Sequence, residues 1–183
     1  MKSRTPSNHV DVAAWAETGR TRAGETPLHE LARLARSVRV APKEPVVTWR
    51  LTGEWRATAD GVRRPALALE ADVVLPLACQ RCLGKVDVPI HVDRHLIFAP
   101  DETQAAALDA DADDDVLALV PQIDLQKLVE DELILALPMI PRHVSCPEAP
   151  VSQVQSDGFA AAAEDRRRPF DILAHLKKTG RSA

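Results

Sequence analysis

From Val47 to Thr58, apolar or small residues fall at every second position. Val47, Trp49, Leu51, Gly53, Trp55 and Ala57 alternate with Thr48, Arg50, Thr52, Glu54, Arg56 and Thr58. A period of two sends successive side chains to opposite faces, so this stretch predicts a long strand with one dry face and one wet face. Trp49 and Trp55 belong to the dry face and read as core. Asp60-Gly61 is a hairpin-turn dipeptide. Leu67, Leu69, Ala71, Val73, Leu75 and Leu77 then line one face of a second strand. Cys79 to Lys85 makes a tight connection, and Val86, Val88, Ile90 and Val92 begin a third alternation that runs towards Phe98. Short links between successive strands predict an antiparallel meander. The apolar run Val116 to Val120 is a candidate fourth strand.

Helical spacing appears on both sides of this block. Leu28, Leu31, Ala32, Leu34, Ala35 and Val38 follow Thr26-Pro27, an N-cap candidate with proline at the first helical position, and Ala41-Pro42 ends the pattern. Asp124 can cap a second helix that buries Leu125, Leu128, Val129, Leu133, Ala136 and Leu137, turns Lys127, Glu130 and Asp131 to water, and stops at Pro138. A third, short helix covers Pro169 to Lys178, with Phe170, Leu173 and Leu176 on one side. The fold class is therefore α+β: a β-meander of three to four strands, two main helices and a short C-terminal helix. Residues 1–24 form a weakly patterned N-terminal segment in which Val10, Val12, Ala14 and Ala16 could pair as a strand or dock on the surface. Residues 25–146 form the α+β domain, interrupted by an acidic loop at 101–115. Residues 147–168 read as a flexible linker before the helix at 169–178.

Composition narrows the function. Net charge is -4, so no global basic field draws in nucleic acid, and local patches must serve instead. Arg33, Arg36 and Arg39 form one such patch; Arg166 to Arg168 with Lys177, Lys178 and Arg181 form another. Aromatics are 3% of the chain and tyrosine is absent, which argues against a single-strand reader built on stacking platforms. No apolar run approaches the roughly 18–20 residues of a membrane span, and Met1 to Asn8 lacks a signal-peptide core, so a cytoplasmic protein is expected. Phosphate-binding glycine loops, GxSxG and HExxH are all missing.

The cysteines carry the clearest chemistry. Cys79-Gln80-Arg81-Cys82 lies on a turn, and His143-Val144-Ser145-Cys146 lies on a loop just after a helix. Each pair can chelate, and together Cys79, Cys82, His143 and Cys146 make a closed Cys3His set suited to tetrahedral Zn²⁺. A redox pair fits less well, because CxxC redox motifs open a helix after a strand, whereas this one joins two strands. Glu130, Asp131 and Glu132 are an acidic cluster. Consecutive helical positions point in three directions, so they read as a solvated face with Glu132 partly buried. His91 and His95 share a strand face about 13 Å apart and do not form a metal pair.

Three segments in order carry a resemblance. They are Leu77-Ala78-Cys79-Gln80-Arg81-Cys82; Val129 to Pro138 followed by Pro141 and His143; and Pro169-Phe170-Asp171-Ile172-Leu173-Ala174-His175-Leu176-Lys177. Over residues 45 to 178 the chain resembles the YceD family, the large ribosomal RNA subunit accumulation proteins. The family pattern has asparagine before the terminal Pro-Phe, where this chain has Arg168. The resemblance implies a factor for synthesis, processing or stability of the 23S rRNA, acting by binding and without catalysis. It implies as partners the large-subunit precursor, its rRNA or a large-subunit ribosomal protein, including the small zinc-ribbon protein whose gene commonly lies next to the family's. Arg81, Glu130, Asp131, Glu132, Pro169, Phe170, Leu173 and Lys177 are the expected interaction residues. Two other readings compete: a chaperone-like holder of one basic ribosomal protein, with the aspartates at 109–115 mimicking RNA, and a metal-dependent ribonuclease or hydrolase using Glu130, Asp131, Glu132 and His143.

Overall fold

The computed structural model describes residues 8–39, 43–58, 60–110 and 112–147. β1 (His9–Val10), α1 (Val12–Thr18) and β2 (Thr21–Pro27) lead into a single 3-10 turn at Leu28–Glu30 and a short helix α2 (Ala32–Ala35). β3 (Val46–Ala57), β4 (Arg63–Ala78) and β5 (Lys85–Ala99) follow. The rest of the domain is α3 (Glu102–Asp109), β6 (Asp115–Ala118), β7 (Ile123–Asp124) and α4 (Leu125–Leu135). The main sheet has the order β2-β3-β4-β5-β6, and β1 pairs with β7 in a separate ladder.

The meander β3-β4-β5 is as expected, with Leu51 opposite Leu69 and Val73 opposite Ile90. The odd-numbered side chains of β3 and β4 (Val47, Leu51, Leu67, Leu69, Leu75) join Leu96 and Phe98 of β5 beneath α1, α2 and α4. Buried apolar area of this kind is the main force holding such a domain together. Gly53 lies on the same face for a steric reason. A Cβ there would stand 2.5 Å from the Trp15 carbonyl carbon, so the α1 backbone rests directly on the strand. Beyond α1 the cover ends: Trp55 is 37% exposed, and only Trp49 of the two strand tryptophans packs against the core.

Other features depart from the sequence reading. The sheet has five strands, and the last pair, β5 with β6, is parallel. A parallel pair needs a crossover, and α3 provides it. The stretch 101–115, expected as a loop, therefore contains a helix. Asp101 caps it by accepting from the Gln104 N–H at 2.9 Å, and Ala105 packs with Ala66, Ile97, Ala99 and Val116 on the otherwise wet face. The helix expected after Thr26-Pro27 is also different. Thr26 sits in β2 opposite Val47, where its hydroxyl accepts from the Trp49 indole N–H at 2.9 Å. It is thus unavailable as a cap, and helix appears only at Ala32–Ala35. In the N-terminal segment Val12 to Ala16 form a helix, capped by Asp11 at one end and by Gly19 at φ 59° at the other. The helix expected at 169–178, with Pro169, Phe170, Leu173 and Lys177, and the linker expected at 147–168 fall, beyond Pro147, outside the described residues.

Candidate metal centre

β4 ends at Ala78 and β5 begins at Lys85, so residues 79–84 must reverse the chain. The Cys79 N–H donates to the Gly84 carbonyl at 2.8 Å and the Leu83 N–H to the Cys79 carbonyl at 2.9 Å. Leu83 takes φ 59°, a left-handed conformation uncommon outside glycine, to close this knuckle. After α4, Pro138 prevents continuation of the helix. The Gln80 N–H then donates to the Pro141 carbonyl at 2.8 Å, pinning the post-helical segment to the knuckle.

That contact delivers His143 and Cys146 to the two knuckle cysteines. Cys79 Sγ lies 4.0 Å from Cys146 Sγ, and Cys82 Sγ lies 3.4 Å from His143 Nδ1. The four ligand atoms all fall within 4.8 Å of one another, a cluster that could hold a metal ion. A tetrahedral Zn²⁺ with Zn–S near 2.3 Å and Zn–N near 2.0–2.1 Å sets its ligand atoms about 3.5–3.8 Å apart, so the geometry fits that ion. His143 Nε2 is 2.9 Å from the Lys85 carbonyl. A carbonyl can only accept, so the proton sits on Nε2 and the Nδ1 lone pair is left facing the cluster, as a metal-binding histidine requires.

The electrostatics agree with a thiolate site. The backbone N–H of Cys82, with smaller help from those of His143 and Arg81, pulls the buried Cys79 thiol down to about 5 against the opposing effect of burial. Cys146 moves upward, through burial and through its hydrogen bonds with Cys82 and Cys79. One cysteine is thus ready to ionise while its neighbour resists adding a second negative charge, and a cation would relieve that resistance.

The acidic trio does not converge on a ligand. Glu130, expected to face water, is 7% exposed. Its carboxylate accepts from the N–H groups of Arg33 (2.7 Å) and Leu34 (3.1 Å) and from the Arg33 guanidinium (3.0 Å). Leu31, at the N-cap position of α2, offers no side-chain hydrogen bond, so Glu130 caps that helix from across the chain. Asp131 pairs with the other side of the Arg33 guanidinium. Arg33 is therefore neutralised and drops out of the basic patch expected at Arg33, Arg36 and Arg39. Glu132 is 8% exposed on the opposite side of α4. Burial, and then Asp115, push its pKa up against the pull of Arg94. His91 and His95 stay apart, each on its own carboxylate, Asp72 at 2.7 Å and Glu54 at 2.8 Å. Arg81 is exposed at the tip of the knuckle, between the two cysteines. Two participants had no legible signal: the Lys85 carbonyl, because a backbone group leaves none, and the α2 N–H groups held by Glu130.

The fold and site define an α+β protein whose β-hairpin knuckle and post-helical loop share a Cys3His cluster. Residues 67–177 match the family described as Large ribosomal RNA subunit accumulation protein YceD, and the chain belongs to that family. The protein of that name from Haemophilus influenzae is 43% identical over 60 residues, covering 31% of this chain and 33% of the relative. The match thus spans about a third of that curated relative's length. No solved structure matches.

Proposed function

We propose that this protein supports accumulation of the large ribosomal subunit by binding, and that it performs no reaction of its own. The observation that carries this reading is family membership across residues 67–177, which include the knuckle, α3 and α4. A second observation favours binding over catalysis. Two of the three carboxylates that an enzyme reading would use are engaged in structure, Glu130 as a helix cap and Asp131 on Arg33, and Glu132 lies on another side of α4. The working partners are the large-subunit precursor, its rRNA or one of its ribosomal proteins, met in the cytoplasm. The surfaces involved are the knuckle with Arg81, the α4 region, and Pro169, Phe170, Leu173 and Lys177 of the C-terminal segment.

The Cys79, Cys82, His143 and Cys146 set holds a structural Zn²⁺ in this reading. Four protein ligands leave no open coordination position, so the ion would staple the β4–β5 knuckle to the end of α4 and would not activate water. Affinity purification of the tagged full-length chain from cells tests the proposal. Large-subunit precursor particles should co-purify. Recovery of one free basic ribosomal protein without particles would favour the chaperone-like alternative, and recovery of neither would overturn the proposal.

A further inference from the structure

The described cations at the two ends of the main sheet differ in how far they are paired. At the end where β3 turns into β4, Arg56 and Arg64 are neutralised, while Arg63 donates to the Trp55 carbonyl at 3.3 Å. Arg64 forks onto Asp60 at 2.7 and 2.8 Å, and Arg56 reaches Asp114 at 2.9 Å. The same end carries α3 and the exposed carboxylates of Asp101, Glu102, Asp109 and Asp113. The opposite, knuckle end is different. Arg36, Arg39, Lys43, Arg81 and Arg142 are all exposed, and none forms an ion pair with another described residue.

Arg39, Lys43, Arg81 and Arg142 come from three separate parts of the chain but meet around the knuckle, and Arg36 lies three residues before Arg39. The Arg39 N–H donates to the Pro76 carbonyl at 2.7 Å, close to the end of β4. Lys43 shares a hollow with Pro76 and Lys85. Arg81 lies within the knuckle. Arg142 is held between Pro141, whose carbonyl accepts from Gln80, and His143, whose ring meets the Lys85 carbonyl. Glu44 and Asp87 at this end are already engaged, by His29 at 2.6 Å and by Lys85 at 3.0 Å, while Glu30 beside His29 is exposed. Exposed apolar side chains rise beside the cations: Leu83 at 69%, Met139 at 97%, Ile140 at 60% and Val144 at 103%.

We propose that the knuckle end is a docking surface for the sugar-phosphate backbone of RNA, an inference that rests on the assembly-factor reading above. Uncompensated cations around a rigid turn suit a polyanion with charges at regular intervals. The exposed aliphatic groups suit contact with ribose and base faces. The chain's net charge of -4 means that RNA is not attracted from every side. The acidic α3 end would repel it, so the charge separation along the strands orients the encounter.

The test measures fluorescence anisotropy of a short fluorescein-labelled RNA stem-loop titrated with the full-length chain over a range of salt concentrations. Two charge reversals probe the surface, Arg81→Glu with Arg142→Glu, and Arg36→Glu with Arg39→Glu. A third, Arg63→Glu with Arg20→Glu, changes charge equally elsewhere. Thermal melting and zinc content check each fold, and Arg→Gln versions replace any variant that fails. Each knuckle-end pair should weaken binding tenfold or more and flatten the log–log salt dependence by about 0.7–0.9 per lost phosphate contact, while the control stays near wild type. Equal weakening by the control would overturn the proposal, because the attraction would then be diffuse. Sedimentation of the same proteins with large-subunit precursors separates the two levels of inference. If the wild type co-sediments through these arginines yet fails to bind RNA at low salt, the partner is an acidic protein surface; the RNA proposal falls and the assembly reading stands. If the wild type never co-sediments, the assembly reading falls, and the anisotropy comparison still decides the surface.

Discussion

Replacing Glu130 separates the structural and catalytic readings of the acidic cluster. Glu130→Ala removes the acceptor of two first-turn N–H groups of α2, at 2.7 and 3.1 Å, from a site that is 7% exposed. Loss of a helix cap costs about 1 kcal/mol, and a buried donor left without an acceptor costs about 1–3 kcal/mol. The combined loss should be about 2–4 kcal/mol. In a domain of this size that lowers the melting temperature by roughly 6–12 °C. Glu130→Gln keeps one acceptor oxygen and should lose about half as much. Differential scanning calorimetry of the purified chain supplies the measurement. The pH dependence has a definite sign. Burial works to raise the Glu130 pKa, but the N–H groups of Leu34 and Arg33 and the Arg33 guanidinium outweigh it and leave a net lowering from 4.5. A depressed carboxylate contributes fully above its unfolded value and loses that contribution as pH falls through the folded one. The wild-type advantage over Glu130→Gln should therefore shrink once the pH drops below about 4.5 and on through the lower folded value. An unchanged melting temperature together with lost rRNA maturation would refute this account and make Glu130 a chemical participant.

Further outcomes concern the remaining features. Elemental analysis of protein purified without chelator should find about one zinc per chain; Cys79→Ser with Cys82→Ser should abolish it and lower the melting temperature, and metal-free wild type would defeat the assignment. Glu132→Gln should raise stability at pH 7, because burial makes the ionised form unfavourable there, and the gain should vanish below the ordinary carboxylate pKa. A loss of stability at pH 7 would mean that the carboxylate is well solvated or paired. Deleting residues 165–183 should leave the melting temperature of the remainder unchanged and weaken association with large-subunit particles, since a helix of about ten residues is marginal unless its apolar stripe is buried on something. If Phe170→Ala instead lowers the melting temperature while association per folded molecule is unchanged, the stripe serves the chain's own fold.

The legible parts of the sequence were those with periodic or chemically restricted signals. β3 to β5 were readable because alternation persists along one long buried face. The cluster was readable because cysteine and histidine at paired spacing have few other uses in such a chain. β2, Thr21–Pro27, has no such signal: it carries Ala23 and Gly24, and the Trp49 ring lies across Gly24 where a side chain would otherwise be. Its conformation comes from pairing with β3, a tertiary effect that overrides local propensity. α2 was misplaced for a related reason. Thr26-Pro27 looks like a cap in sequence, yet the working cap is Glu130, 97 residues away at Arg33 and 96 at Leu34. α1 was within reach, since Asp11 and Gly19 bracket it as cap residues, but Val10, Val12, Ala14 and Ala16 also satisfy a period of two.

The ligand arrangement also bears on the order of folding. Cys79 and Cys146 are 67 residues apart and Cys82 and His143 are 61 apart, with β5, α3, β6, β7 and α4 between them. Bringing such distant segments together carries a loop-closure entropy that local interactions cannot offset, so non-local sites form late. The cysteine pair on the knuckle can hold an ion loosely as soon as the hairpin forms, but the complete set exists only after α4 has docked. Full coordination would then act as a latch on the finished domain. In refolding experiments, tight zinc uptake should lag behind the change in tryptophan emission; simultaneous or earlier uptake would show that the metal nucleates the fold.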